Sequence, residues 1–393
     1  MSKETETRTA SSFAERLTDI RRELHRFPEL SHEEFETTAR IRAWLEGAGI
    51  RIGRYELRTG IVAEIGGLRG GPVIALRADI DALPIQEETG FPYASEIAGR
   101  MHACGHDFHT AAMLGAAYLL KEREAELAGT VRIVFQPAEE KASGARKIIA
   151  SGALEGVSAI FGLHNKPDLP VGTLGIKGGP IMAAADGFYV QVEGRGSHAA
   201  VPEAGVDPIV TAAHIVTAIQ SIVSRNVSAL DSAVISVTKI HSGTAWNVIP
   251  EQAVLEGTIR SFDEAVRKRV LERFEQVVEG VAAAYGTSAS VRWIEGPPPV
   301  RNDEQLAGIA WEAAEQLGFL PVVPVPSPAG EDFAAYQQVV PGLFVFVGTS
   351  GTKEWHHPAF NLDERALPVA ADFFARTAER AIASFSSGKT ADE

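Results

Sequence analysis

MHACGHDFHTAAMLGAAYLLKEREAELAGTVRIVFQPAEE, residues Met101–Glu140, carries the alternation that decides the fold. A histidine/cysteine cluster opens it, and a helical stretch, Thr110–Ala125, follows. Val131–Phe135 is then a short apolar run, the pattern of a strand buried on both faces. It ends in Gln136-Pro137-Ala138-Glu139-Glu140, with two adjacent carboxylates. Working outward, Ile61–Ile65, Val73–Arg77 and Ala159–Leu163 are similar runs, and Phe13–Phe27 and Glu33–Glu46 read as amphipathic helices. Leu17, Ile20 and Leu24 recur at helical spacing. This order predicts an α/β fold, a mostly parallel sheet flanked by helices.

The middle of the chain reads differently. After the breaker Gly178-Gly179-Pro180 come a strand at Phe188–Val192, a helix at Pro208–Val223, and strands at Ala233–Ile240 and Ala253–Ile259. A helix at Asp263–Ala284 and a strand at Ser288–Trp293 complete a β-α-β-β-α-β order, that of the ferredoxin-like split unit. Gly296-Pro297-Pro298-Pro299 closes it as a stiff linker. The α/β pattern resumes with a helix near Glu304–Leu317, a strand at Leu343–Val347 and a helix at Ala366–Phe385. The expected division is a discontinuous catalytic domain, residues 1–181 and 297–393, with an inserted ferredoxin-like α+β domain at 182–296.

Composition narrows the function. At 393 residues the chain exceeds the size at which one core usually stops growing. A net charge of −14 argues against a nucleic-acid-binding surface. One cysteine rules out an intrachain disulfide framework. MSKETETRTASS has no apolar signal core, and no run approaches the ~20 apolar residues of a membrane span. A soluble, cytoplasmic protein without membrane or nucleic-acid partners is the expectation.

Met101–His109 packs three of the eleven histidines and the sole cysteine into nine positions. Thiolate and imidazole are ligands that borderline-soft transition metals prefer. His102, Cys104 and His106 alternate, so an extended segment would turn all three to one side. An isolated Cys-x-His is more often a buried cysteine beside solvated histidines. Here other strand ends carry partners: Glu139-Glu140, the His164 of Gly162-Leu163-His164-Asn165, and the Asp79 and Asp81 that follow Arg77. In open α/β sheets, ligands bind outside the carboxyl ends of the strands, so these groups could converge. Trp355-His356-His357-Pro358 adds two histidines near the C-terminus.

In this order, HACGHD, QPAEE, GLHN, GSHAAVP, NVIP and HHPAF resemble the dinuclear metallohydrolases that include aminoacylase and glutamate carboxypeptidase. The closer resemblance is to the branch with hippurate hydrolase, N-acetyldiaminopimelate deacetylase and auxin-conjugate amidohydrolases, and it spans His25 to Leu367. That branch uses a cysteine where wider relatives use a bridging aspartate. The resemblance implies that Cys104 bridges two divalent ions, with His106 and His164 on one and Glu140 and His356 on the other. His356 is preferred to His357 because it lies two residues before the proline. Glu139 matches the general base, and Asp79, Asp81 and Asp107 match groups that orient ligands or hold loops.

The resemblance also implies roles for the inserted domain. His198 would stabilise the oxyanion of the tetrahedral intermediate from the other subunit of a homodimer, and Asn247 would make a polar contact to substrate. Arg260, at a predicted strand end, would hold the substrate's carboxylate bidentately. Gly330-Glu331-Asp332-Phe333 matches a further motif whose acidic pair would support the site or simply favour a helix N-terminus. The implied reaction is metal-dependent hydrolysis of N-acyl amino acids, acetyl, benzoyl or other aryl-acyl. A dipeptidase or carboxypeptidase on the same scaffold is the alternative. Two ions per chain are expected, zinc, manganese, cobalt or nickel.

Overall fold

The computed structural model describes residues 3–388. It divides into two compact units. The first runs to Gly179 and takes up Arg301–Val325 and the chain from Ala335 onward; the second comprises Pro180–Val300 and Pro326–Ala334.

In the first unit, apolar strands assemble an eight-stranded sheet. Its order is Arg51–Ile52, Ile61–Gly66, Thr130–Gln136, Val73–Asp79, Val157–Lys166, Gly342–Gly348, Thr173–Gly175 and Leu320–Val322. The four central strands, from Thr130–Gln136 to Gly342–Gly348, are mutually parallel. Gly342–Gly348 is buried along its whole length and Val73–Asp79 nearly so, because helices cover both faces. This is the α/β architecture expected. The helix after the histidine/cysteine cluster begins earlier than Thr110, spanning His106–Glu122, and packs on Ala366–Gly388. Contact there is close at Gly115, where an added Cβ would lie 2.7 Å from Ala371 Cβ and 2.9 Å from Leu17 Cδ1. Leu17, Ile20 and Leu24 all join this core from the first helix, Lys3–Arg26. The two-residue strand Arg51–Ile52 and the three-residue strands Thr173–Gly175 and Leu320–Val322 were not legible as apolar runs.

The second unit forms a four-stranded antiparallel sheet, ordered Ala233–Ser242, Gln252–Ser261, Ala184–Glu193, Ser288–Ile294. With helices Pro208–Asn226 and Glu264–Ala284 this is the ferredoxin-like arrangement. Burial alternates along Ala184–Glu193, so Phe188, Val190 and Val192 share one face with Ile215, Ile219 and Phe274. Asp207 and Asp263 cap the helices by accepting their first amide hydrogens. Beside this core, Arg267 donates Nε and Nη2 to the two carboxylate oxygens of Asp186, each at 2.7 Å. Both residues are buried. Asp186→Ala is therefore expected to destabilise this unit by about 3–5 kcal/mol, because it strands a buried guanidinium. Denaturant unfolding reads the loss; a change below about 1 kcal/mol would mean the pair is solvent-screened. Among the described residues no helix is long and apolar enough to cross a membrane.

Candidate functional site

Three parallel strands, Val73–Asp79, Thr130–Gln136 and Val157–Lys166, deliver their carboxyl-terminal groups to one place in the first unit. Residues between Met101 and His106 are not an extended strand, which corrects the alternation reading. Gly105 turns the chain in the left-handed region, φ +86°, and His106 starts the helix. A side chain at Gly105 would bring Cβ to 2.4 Å from Asn165 Nδ2, so glycine is required twice over. The turn brings Cys104 and His106 together with His164, their ligand atoms all within 4.8 Å of one another. Among the described residues His102 joins no such set; its ring lies 6.5 Å from that of His25.

Ring hydrogen bonds fix which nitrogen each histidine presents. His106 Nδ1 donates to the Asp81 carbonyl at 2.9 Å, leaving Nε2 without a hydrogen bond. His164 Nδ1 donates to the Asn165 carbonyl at 2.9 Å, and its Nε2 lies 3.4 Å from Cys104 Sγ. A second set, Cys104, Glu140 and His356, also falls within 4.8 Å, so the two sets share the thiol. His356 Nε2 is 3.5 Å from Glu140 Oε1, and the His356 amide donates to the Ala103 carbonyl at 2.8 Å. His357 instead accepts the Ala359 amide at Nδ1, 2.9 Å away.

Glu139 and Glu140 sit on one tight turn, Glu139–Lys141. Both amides donate to Asp81, to Oδ1 and Oδ2 respectively, each at 3.1 Å. Ser31 Oγ donates to the same carboxylate at 2.6 Å, and the Ala138 amide donates to the buried Glu34 at 2.8 Å. Ala138 and Ala142 flank the turn in the left-handed region, φ +53° and +48°. Non-glycine residues there cost of order 1–3 kcal/mol each, offset by the surrounding bonds.

The electrostatics favour a cation. Burial pushes Glu140 up to about 7, with Asp81 and Asp79 adding to it against His106. Burial lowers His106, but Asp79, Asp81 and Glu140 outweigh it and raise the ring to about 10. Burial holds His164 far below the ordinary histidine range, and lowers His356 as well, so both are neutral, the form that ligates. A proton on His106 thus answers an excess of negative charge. Buried His106 Nε2 and Glu140 Oε1 both lack hydrogen bonds, and thiolate, imidazole and carboxylate suit a divalent transition ion. The residues fit a metal.

His109, which the sequence reading did not single out, lies three residues after His106 on the same helix face. Its Nδ1 donates to Asp79 Oδ1 at 2.6 Å and its Nε2 accepts the Asn165 amide at 2.9 Å. With both nitrogens committed it is a brace, not a ligand, although it lies close to His106 and Asp79. Arg77 Nη1 donates to Asp79 at 2.8 Å, while Arg77 Nε and Tyr336 hydroxyl both reach Gln136 Oε1 at 2.8 Å. Asp107 accepts from His25 Nδ1 at 2.8 Å and forms an ion pair with Arg21, Nε to Oδ2 3.0 Å, which together hold its carboxyl far below the usual range despite burial.

The second unit carries the remaining expected residues. Ser197–His198 pairs with Val248–Ile249, and the Ala199 amide donates to the Asn247 carbonyl at 3.0 Å, so His198 and Asn247 are neighbours. His198 is exposed, and its Nδ1 accepts the Ala200 amide at 3.1 Å. Arg260 donates Nε to the Pro328 carbonyl at 3.1 Å, and Nη1 to the Ile259 carbonyl and the Thr258 hydroxyl. Glu331 accepts the Phe333 amide at 2.9 Å within its own turn.

The profile described as peptidase family M20/M25/M40 matches residues 75–380. N-acetylcysteine deacetylase of Bacillus subtilis (strain 168) is 55% identical over 93% of this chain and 97% of that protein. IAA-amino acid hydrolase ILR1-like 4 of Arabidopsis thaliana is 41% identical over 94% of this chain and 86% of its own. A solved Bacillus subtilis structure, the YXEP protein described as a dinuclear metal binding peptidase, superposes with a TM-score of 0.87 at 52% identity. It covers 95% of this chain and 99% of the other. The profile covers more than half of the chain and the relatives nearly all of it, and the chain belongs to peptidase family M20/M25/M40.

Proposed function

We propose that the chain is a metal-dependent amidohydrolase that cleaves the amide bond of N-acyl amino acids to a carboxylate and a free amino acid. The observation that carries this reading is the pair of ligand sets sharing Cys104, with Glu139 beside them. Cys104, His106, His164, Glu140 and His356 would hold two divalent ions; zinc, manganese, cobalt and nickel all suit the donors. Bound there, such ions lower the pKa of water and polarise the scissile carbonyl. Relatives named for N-acetylcysteine deacetylation and IAA-amino acid hydrolysis support this substrate class.

Glu139 takes the proton from the attacking water and returns it to the leaving nitrogen, so neither free hydroxide nor an expelled amine anion has to form. Asp81 keeps it aimed by fixing its backbone. His198, on the exposed loop of the second unit, donates to the developing oxyanion from the partner of a homodimer. Asn247, next to it, contacts the substrate. Arg260 takes the amino-acid carboxylate through its guanidinium. Arg260→Lys is then expected to impair N-acyl amino acids at least about tenfold more than matching amides without the carboxylate, since lysine loses the fork. Equal losses on both substrates would remove Arg260 from carboxylate binding.

Amine release from N-acetyl and N-benzoyl amino acids, set against the matching free dipeptides, tests the reading with metal-loaded protein. Cleavage of the acylated set alone supports it, and the preferred acyl group then identifies the substrate. Cleavage of dipeptides alone would make the chain a peptidase, and no turnover with metal bound would make it a silent metal-binding protein.

A further inference from the structure

In a chain with 51 acidic and 37 basic residues, one cavity of the first unit runs against the balance. It measures about 670 Å³, and its walls include Arg54, Arg58, Lys147, His32, Glu56 and Pro137. Three cations and one carboxylate, all exposed, therefore line it. Among the described residues no ion pair engages Arg54, Arg58 or Lys147. Arg58 is steadied without being neutralised, since its guanidinium stacks 5.2 Å over the ring of Phe35. Unpaired cations around a concavity repel one another, and an anion between them relieves this.

His32 is built into the same wall. Its backbone is left-handed, φ +71°, an uncommon state for a residue other than glycine. Lys147 Nζ donates to His32 Nδ1 at 2.9 Å, and His32 Nε2 donates to Ser143 Oγ at 3.1 Å. The ring is thereby held neutral, with burial and Lys147 both lowering its affinity for a proton. It fixes the lysine in place while leaving the ammonium's other hydrogens available.

We propose that this cavity binds a small multivalent oxyanion, a phosphate ester or a polycarboxylate, through Arg54, Arg58 and Lys147. Guanidinium forks match both groups in shape. The volume suits a metabolite rather than a lone ion, and three cations call for at least two negative charges. The site is separate from the ligand sets around Cys104, none of whose residues lines it.

Titration calorimetry of the full, metal-loaded chain with inorganic phosphate and with citrate, at fixed ionic strength, tests this. Saturable binding of either probe is expected, weakened about tenfold or more by Arg58→Ser/Lys147→Ser, the loss of one charge-assisted hydrogen bond or more. Arg54→Ser should weaken it independently, and Glu139→Gln should leave it unchanged. Tighter phosphate binding identifies the phosphoryl class, and tighter citrate binding the polycarboxylate class. No saturable binding of either probe up to about 10 mM, far weaker than a built site gives, would overturn the proposal. So would equal affinity in wild type and both variants, which would put the anion on the metals instead.

Discussion

Glu139→Gln is expected to lower turnover of N-acyl amino acids by about 10²–10⁴-fold or more while leaving bound metal and fold intact. The substitution keeps the size and shape of the side chain but cannot accept a proton. Asp81 grips the turn through the amides of residues 139 and 140, not through the Glu139 side chain, so Glu140, the proposed ligand, should not move. Metal content by elemental analysis and kcat by amine release separate the two effects. A variant that turns over like wild type would take Glu139 out of the mechanism; one that loses metal would show it to be a ligand.

Cys104→Ala is expected to weaken both metal sites together, because the thiol belongs to both ligand sets. Removing a group that merely orients a ligand costs about 10–100-fold in metal affinity, so loss of a shared ligand should cost at least about 100-fold. Equilibrium dialysis against a competing chelator reads this as a drop in both ions, not one. Cys104→Asp should restore binding, since a carboxylate can also bridge. The same thiol should make wild type sensitive to peroxide and recoverable with a thiol reductant, and the aspartate variant should be indifferent. Retention of one tightly held ion in Cys104→Ala would mean the thiol serves a single metal.

Apolar periodicity made the strands Val73–Asp79, Thr130–Gln136 and Val157–Lys166 legible to within a few residues, and with them the strand ends that carry the chemistry. The β-α-β-β-α-β order of the second unit was equally readable, because its strands alternate and its helices start at Asp-Pro and at Asp263. What failed was local geometry. Counting alternate positions put His102 beside Cys104 and His106, but a single left-handed glycine changes the period there from two to helical. His109 was overlooked because nothing in a sequence tells a histidine that braces from one that ligates; the Asn165 amide on its Nε2 decides it. Asp81 read only as a group that orients a ligand or holds a loop, and its grip on two consecutive amides 58 and 59 residues away is a purely tertiary fact.

Gly342–Gly348 lies in the sheet between Val157–Lys166 and Thr173–Gly175, two strands made one after the other. On a translating ribosome, those neighbours emerge long before the strand that must part them, with the whole ferredoxin-like unit synthesised in between. The nascent first unit therefore waits with Val157–Lys166 unpaired on the side that Gly342–Gly348 will take, an edge of the kind that invites misassembly. His356 emerges later still, so Cys104, His106 and His164 are all outside the tunnel while the second ligand set is incomplete. Maturation of this chain is ordered by its topology: that edge stays unpaired until Gly342–Gly348 arrives, and the first proposed ligand set is complete before the second.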